Sequence, residues 1–317
     1  MRIDFQVAAE LATLRGDPPA ELPRVGDVAT RRLNSRHMLE ELWAPPPAAD
    51  GVEIEKFALT TADGATLPAY WYRRAGSTQP GSAALYVHGG GMICGLSVLS
   101  RLYDWLVRGY VAASGVPMLV VDYRVAPEFP DPIPFQDCCA GLLWLAEHAE
   151  ALGVDPDRLA VMGDSAGGGL AAGLCMWARD RGGPSIAAQL LVYPMLDDRP
   201  PVRDPEVAPF LTWTYDDNVT GWTALLGERV GSDDVSPYAA PARATDLAGM
   251  PPTYIDVGDL DIFRDEDLMF AHRLAVAGTP TEMHLHPGCP HAFDAMAATA
   301  DVSRRAIADR VRRLRAL

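Results

Sequence analysis

The most constraining feature of the chain is Gly163-Asp164-Ser165-Ala166-Gly167, set between a short apolar run at 159–162 and an Ala/Leu-rich stretch at 170–181. The run reads as a strand and the stretch as a helix. A G-x-S-x-G turn in that context puts the serine on a sharp strand-to-helix bend, in a strained backbone conformation that projects the hydroxyl outward. Small residues on either side let strand and helix approach closely enough to make the bend. The N-terminus of the following helix points its positive end at the serine, which favours developing negative charge there. Such pentapeptides also arise in glycine-rich turns, so the surrounding pattern decides. Ser165 is the candidate nucleophile.

That surrounding pattern alternates strands with helices. Residues 52–59 and 66–72 alternate as a hairpin joined by Thr61-Ala62-Asp63-Gly64. Buried strands are predicted at 83–87, 117–122, 187–193, 253–257 and 281–286, and helices at 135–149, 266–277 and 304–317. Near-continuous apolar strands between helices predict an α/β fold, with a mostly parallel sheet covered on both faces and mixed at the hairpin edge. With 317 residues, 49% of them hydrophobic and 22% charged, the chain can fill the core of one large domain.

Residues 1–50 read as a separate piece. Helical spacing covers 5–14 and 30–43, a Pro/Gly-punctuated link covers 16–26, and Ala44-Pro45-Pro46-Pro47 marks the boundary. The stretch 200–230 carries Pro200, Pro201, Pro205 and Pro209, then Phe210, Leu211, Trp213, Tyr215 and Trp222. It reads as irregular and interrupts the alternation. An insertion there is expected to fold over the C-terminal ends of the strands, where open sheets bind ligands.

The second chemical element is His88-Gly89-Gly90-Gly91, directly after a strand. Acyl transfer passes through an oxyanion, which needs preorganised backbone N–H donors, and glycine lets the backbone approach. Gly89 and Gly90 are the candidate donors, with Ala166 as the third. Met92, just past the glycines, is a candidate pocket residue, as are Phe210, Leu211 and Trp213. His88 precedes the nucleophile and is expected to orient the loop.

On this fold the order is nucleophile, acid, base. The histidines after Ser165 are His272, His284, His286 and His291. His272 lies in a helical pattern, and His284 and His286 share one face of a strand. His291 follows a strand in a Gly288-Cys289-Pro290 loop and is the candidate general base. For the acid, the loop 258–266 offers several carboxylates. Asp256 lies inside a strand, and Asp265 and Glu266 open a helix, which leaves Asp259 and Asp261. Asp164 is excluded because its backbone is committed to the bend. Asp122, Arg124 and Glu128 are expected to form a structural polar network beneath the oxyanion loop.

Composition excludes other classes. A net charge of −15 repels phosphate backbones and anionic lipid, so neither nucleic acid nor a membrane is an expected partner. The five cysteines are odd in number and have no zinc-site spacing, which argues against a disulfide framework or a metal. No signal peptide is read at the N-terminus, and a cytoplasmic location is expected.

Taken together, these motifs resemble the hormone-sensitive-lipase-like esterases (bacterial family IV carboxylesterases) of the α/β-hydrolase superfamily. The likeness runs from about Val52 to the end. It rests on His88 to Gly91, Asp122-Tyr123-Arg124-Val125-Ala126-Pro127-Glu128, Gly163 to Gly168, Tyr193-Pro194, Ser236-Pro237-Tyr238, Asp261 with Arg264-Asp265-Glu266, and His291-Ala292-Phe293. It implies an α/β-hydrolase fold with a helical cap: residues 1–50 as cap helices, and 51–317 as the catalytic domain with a cap insertion at about 200–230. It implies Asp261 as the acid and serine carboxylesterase activity on short to medium acyl esters, with no cofactor. The implied partner is a small-molecule ester substrate, and a homodimer through the edge strand near 281–286 is the implied assembly. The chain departs from the family pattern at Ile262, where proline is usual, and at Ala292, where glycine is usual.

Overall fold

The computed structural model describes residues 1–16, 22–76 and 81–317; of the predicted link at 16–26, residues 17–21 lie outside the described residues. Two helices come first, α1 (Phe5–Thr13) and α2 (Val28–His37), the second running on into a π-helical turn at Met38–Leu42. Each starts at an aspartate. Asp4 accepts from the Gln6 and Val7 N–H groups, and Asp27 from Thr30, satisfying donors that a helix start leaves open. The three prolines end the second helix, the backbone already being extended at Trp43.

β1 (Val52–Thr60) and β2 (Thr66–Arg74) then form the predicted hairpin, with Thr60 opposite Thr66. The rest of the chain alternates: β3 (Gly81–Val87), α3 (Leu96–Ser114), β4 (Met118–Val121), α4 (Ile133–Glu147), β5 (Val154–Asp164), α5 (Ala166–Arg181), β6 (Ala188–Val192), α6 (Tyr215–Leu226), β7 (Thr253–Gly258), α7 (Arg264–Val276), β8 (Thr281–His286), α8 (Phe293–Met296) and α9 (Asp301–Arg315). The strands make one sheet in the order β1-β2-β4-β3-β5-β6-β7-β8. β1 and β2 run antiparallel to their neighbours, and every pairing from β4 to β8 is parallel.

Strand side chains alternate between two cores, as a period of two requires. Leu85, Leu119, Val161, Leu191 and Ile255 enter one core, with α4, α5 and α7. Tyr86, Val120, Met162, Leu190 and Tyr254 enter the other, with α3 and α9. This is the doubly covered sheet that the sequence predicts.

Three helices escape the sequence reading, the shortest of them the single turn α8. α3 buries Leu99, Tyr103, Leu106, Val107, Tyr110 and Val111 on one face. That spacing is a helical signal, directly after the glycines of the oxyanion loop. α6 lies inside the stretch read as irregular. A capping box between Thr214 and Asp217 starts it, and Trp222, Leu225 and Leu226 bury its inner face. The expected network of Asp122, Arg124 and Glu128 is also corrected. Asp122 accepts from Leu96 N–H, Arg124 pairs with Asp63 and Asp137, and Glu128 takes Arg32 of α2, so each serves a different contact. All five cysteines are free and buried. Among the described residues no helix is long and apolar enough to cross a membrane.

One buried group works against the fold. Asp267 of α7 is fully buried, and neither carboxyl oxygen has a hydrogen-bond partner among the described residues. Burial pushes its carboxyl well above the ordinary aspartate range, with Glu266 and Asp261 adding in the same direction. The folded state therefore keeps a proton that the unfolded chain releases above the ordinary aspartate pKa. Stability is lost as pH rises through that range, by up to about 1.4 kcal/mol per pH unit. Asp267→Ala is expected to raise the melting temperature by a few degrees at pH 7, relieving an unpaired polar group worth about 1–3 kcal/mol. The gain should shrink toward pH 4. Thermal melts of both proteins across that range check it, and a variant less stable at pH 7 would refute it.

Candidate active site

All the candidate groups sit on loops at the C-terminal ends of the parallel strands, where α/β sheets place their sites. Ser165 joins β5 to α5. Its backbone is in the positive-φ region (φ 54°, ψ −125°), a conformation that side chains rarely adopt. The glycines around it are needed for close approach. A Cβ at Gly163 would lie 2.5 Å from the Gly167 carbonyl carbon, and one at Gly167 would lie 2.6 Å from that of His88. The bend is held by Ser165 N–H donating to Val192 O at 2.9 Å and by Met195 N–H donating to Ser165 O at 2.9 Å.

His291 stands between Ser165 and Asp261. Its Nε2 lies 2.9 Å from Ser165 Oγ and its Nδ1 lies 2.7 Å from Asp261 Oδ2. A carboxylate can only accept, so the proton belongs on Nδ1, leaving Nε2 to accept from the serine hydroxyl. The other carboxylate oxygen, Asp261 Oδ1, accepts from Phe263 N–H at 3.0 Å. All three side chains are buried. Asp259 does different work, accepting from Gly288 N–H at 2.6 Å and so tying the His291 loop to the end of β7. The other histidines lie elsewhere. His272 is exposed on α7, His284 pairs with Glu282 at 2.7 Å, and His286 faces Asp256 at 3.8 Å.

The His291 loop is fastened from several sides. Thr212 Oγ1 donates to His291 O at 2.6 Å, and Asp4 N–H at the start of α1 donates to Gly288 O at 2.9 Å. The rings of Tyr193 and Phe263 meet the imidazole edge-on at 4.7 and 5.2 Å. Ala292 has φ +56°, so the alanine that stands where the family usually has glycine occupies a left-handed position.

The oxyanion loop departs from expectation at two residues. Gly89 N–H is taken, donating to the Tyr103 hydroxyl at 2.6 Å. Gly90 and Gly91, not Gly89, line the cavity over Ser165. Ala166 is the first residue of α5, so its N–H is one of the helix-start donors without an intrahelical acceptor. Met92 does not line the cavity either. Its backbone turns to φ +63° and the side chain is fully buried in the core. His88 is structural as expected: it stacks on Tyr123 with centroids 4.1 Å apart, and burial lowers its imidazole to about 4. Asp164 accepts from Tyr86 at 2.9 Å and Tyr103 at 2.8 Å. Burial pushes its carboxyl up to about 6, against the pull of those two donors.

The cavity measures about 670 Å³. Phe210, Leu211 and Trp213 line it, together with Ile3, Leu11 and Leu14 from the first segment and Leu99 and Leu102 from α3. Trp213 lies against the oxyanion loop, so that a Cβ on Gly91 would run into its ring. Trp43 and Trp222 pack instead. Trp43 Nε1 donates to Ala295 O at 3.0 Å, and Trp222 is buried in the main core.

An α/β sheet with a serine on this bend, and a histidine and carboxylate on later strand ends, defines the α/β hydrolases. A family model described as the alpha/beta hydrolase fold matches residues 84–295. Esterase LipI of Mycobacterium tuberculosis is 36% identical over 250 residues, covering 76% of this chain and 76% of that one. An ethyl acetate hydrolase of Pseudomonas putida is 33% identical over 253 residues, covering 76% and 75%. Among solved structures, a bacterial heroin esterase superposes with a TM-score of 0.83 at 35% identity, covering 99% of this chain and 97% of that one. The chain belongs to the hormone-sensitive-lipase-like, family IV carboxylesterases of the α/β-hydrolase superfamily, and it is a carboxylic ester hydrolase.

Proposed function

We propose that this esterase works through a Ser165–His291–Asp261 triad on short to medium acyl esters. The observation that carries the reading is His291 within hydrogen-bond reach of both Ser165 and Asp261. As Ser165 Oγ attacks the ester carbonyl, His291 Nε2 takes its proton, and Asp261 holds the tautomer and stabilises the imidazolium. The N–H groups of Gly90, Gly91 and Ala166 receive the oxyanion. Collapse expels the alcohol, protonated by His291. Water, deprotonated by the same imidazole, then attacks the acyl-enzyme and releases the acid.

The proposal includes a cap formed by residues 1–50 and the insertion at about 200–230. Its support is that both supply cavity-lining side chains and that Thr212 holds the His291 carbonyl. Support for short acyl groups is the bulk of Trp213 against Gly91, which shortens the space beside the oxyanion loop. The likeness to an ethyl acetate hydrolase points the same way.

Hydrolysis of p-nitrophenyl esters from acetate to palmitate, by wild type and Ser165→Ala, tests this. The shorter esters should turn over, and the alanine variant should lose about 10⁵–10⁶-fold in kcat. A folded wild type inert on every ester, or a Ser165→Ala variant that keeps its rate, would overturn the serine reading.

A further inference from the structure

Two polypeptide segments must hold their positions for the oxyanion donors to converge: the glycine loop after β3 and the bend after β5. One hydroxyl touches both. Tyr103, on the buried face of α3, accepts from Gly89 N–H at 2.6 Å and donates to Asp164 Oδ2 at 2.8 Å. Asp164 is the residue immediately before Ser165, and Gly89 the residue immediately before Gly90. The phenol thus bridges the neighbour of the nucleophile and the neighbour of an oxyanion donor. It is itself buried and lines the substrate cavity.

We infer that Tyr103 is a positioning residue for ester hydrolysis, tying the His88–Gly89 peptide to the bend that carries Ser165 so that the Gly90 and Gly91 N–H groups aim at the oxyanion. The inference rests on the serine reading above. The physical ground is that glycines have no side chain to fix their peptide planes, so a loop of three needs an external anchor. Other bonds hold the loop as well, Gly90 O accepting from Ile93 and Cys94 N–H at 3.0 and 2.9 Å. His88 Nδ1 lies 2.8 Å from Gly89 O, and Tyr123 donates to His88 O at 2.8 Å. None of these bonds ties the loop to the bend after β5. Tyr103 does, and its own hydroxyl is oriented by the Asp164 carboxylate, which leaves a lone pair facing the loop.

Tyr86 supplies a built-in control. It donates to the other oxygen of Asp164 at 2.9 Å, is equally buried and stands beside Tyr103 with ring centroids 6.0 Å apart. Among the described residues its hydroxyl makes no other hydrogen bond, and none to the glycine loop. Loss of either hydroxyl removes a similar hydrogen bond from Asp164, but only loss of the Tyr103 hydroxyl takes the acceptor from Gly89 N–H and unties the glycine loop from the bend.

The test compares Tyr103→Phe and Tyr86→Phe in the full-length enzyme with p-nitrophenyl acetate. Rates are normalised to active sites titrated with a phosphonate ester, so that misfolded protein does not count. Tyr103→Phe should lower kcat about 10- to 100-fold with KM within about threefold of wild type, since the oxyanion forms only in the transition state. An alkylboronic acid, which mimics the tetrahedral species, should weaken in parallel with kcat/KM. Tyr86→Phe should keep kcat within about threefold. A Tyr103→Phe enzyme with kcat within twofold of wild type sinks the inference, as does an equal loss of kcat in both variants, which would mark a general effect through Asp164. Wild-type turnover together with an inert Ser165→Ala upholds the serine reading whichever way Tyr103→Phe falls.

Discussion

Asp261→Asn is expected to leave the fold and Ser165 intact and to lower kcat by about 10⁴-fold. The size of the loss follows from a contact on the far side of the carboxylate. Asp261 Oδ1 accepts from Phe263 N–H at 3.0 Å while Oδ2 faces His291 Nδ1 at 2.7 Å. An asparagine must keep its one oxygen on the peptide N–H, because turning the amide would set two donors against each other. Its NH₂ group then faces Nδ1. The imidazole can meet that donor only by moving its proton to Nε2, and an Nε2–H cannot accept from the serine hydroxyl. The base is present, correctly placed and in the wrong tautomer. Steady-state kinetics with active-site titration check this, alongside a melting curve to show that the variant is folded. A loss below tenfold would show that Asp261 does not set the tautomer. Asp259→Asn, which alters a contact to Gly288 N–H rather than to the imidazole, serves as the comparison.

The candidate triad residues were legible because each is announced by its own stretch of chain. Ser165 lies in a motif whose flanking strand and helix can be read from their periods, and His291 in a loop just past a strand. The choice between Asp259 and Asp261 was not settled by local pattern, because both lie in one loop and both end up bonded to the β8 side of the site. What separates them is which carboxylate reaches a ring 30 residues away and which reaches Gly288. One expected oxyanion donor, Gly89, was misplaced for a similar reason. Gly89 sits in the motif as plainly as Gly90 does, but its N–H is claimed by Tyr103, from a helix that the sequence reading passed over. Met92 looked like a pocket residue from its position beside the glycines. Its positive φ turns the side chain into the core instead, and nothing in a methionine advertises that. Ala292 belongs to the same class, since the sequence marks it as a departure from glycine and only the backbone angle shows what the departure strains. Local chemistry was readable, whereas the direction in which each peptide points was not.

Arg310 is the largest such case, and its removal is the most damaging change expected for stability. It lies in the Arg-rich helix α9, where arginines are ordinarily exposed, yet its side chain has 0% exposure. Asp256 grips it with two hydrogen bonds of 2.7 and 3.0 Å, Asp294 pairs with it closely, and its Nη1 donates to the Tyr110 hydroxyl at 3.0 Å. Burial alone pushes the Asp256 carboxyl up, but Arg310 overrides that and holds it at about 2. Arg310→Met would strand two carboxylates in one dry site. Breaking a buried pair by deleting one partner costs about 3–5 kcal/mol, and here the deletion leaves two like charges facing each other. Midpoints of urea unfolding should fall accordingly at pH 7. The sign of the pH dependence is distinctive. In wild type the lowered Asp256 pKa gives stability that is present above the ordinary carboxylate range and lost as pH falls from about 4 toward 2. In the variant the stranded carboxylates gain from taking up protons, so the gap between the two proteins should be widest near neutrality and close below about pH 4. A gap under 1 kcal/mol at pH 7, or one that does not change with pH, would show that the cluster is not held by charge. The same cluster reaches the active site, because Asp294 also accepts from Tyr193 at 2.8 Å and the Tyr193 ring braces His291. Asp294→Asn added to Arg310→Met removes one stranded charge. It should recover part of the stability while leaving the brace in place, and that recovery distinguishes electrostatic loss from the loss of a packed side chain.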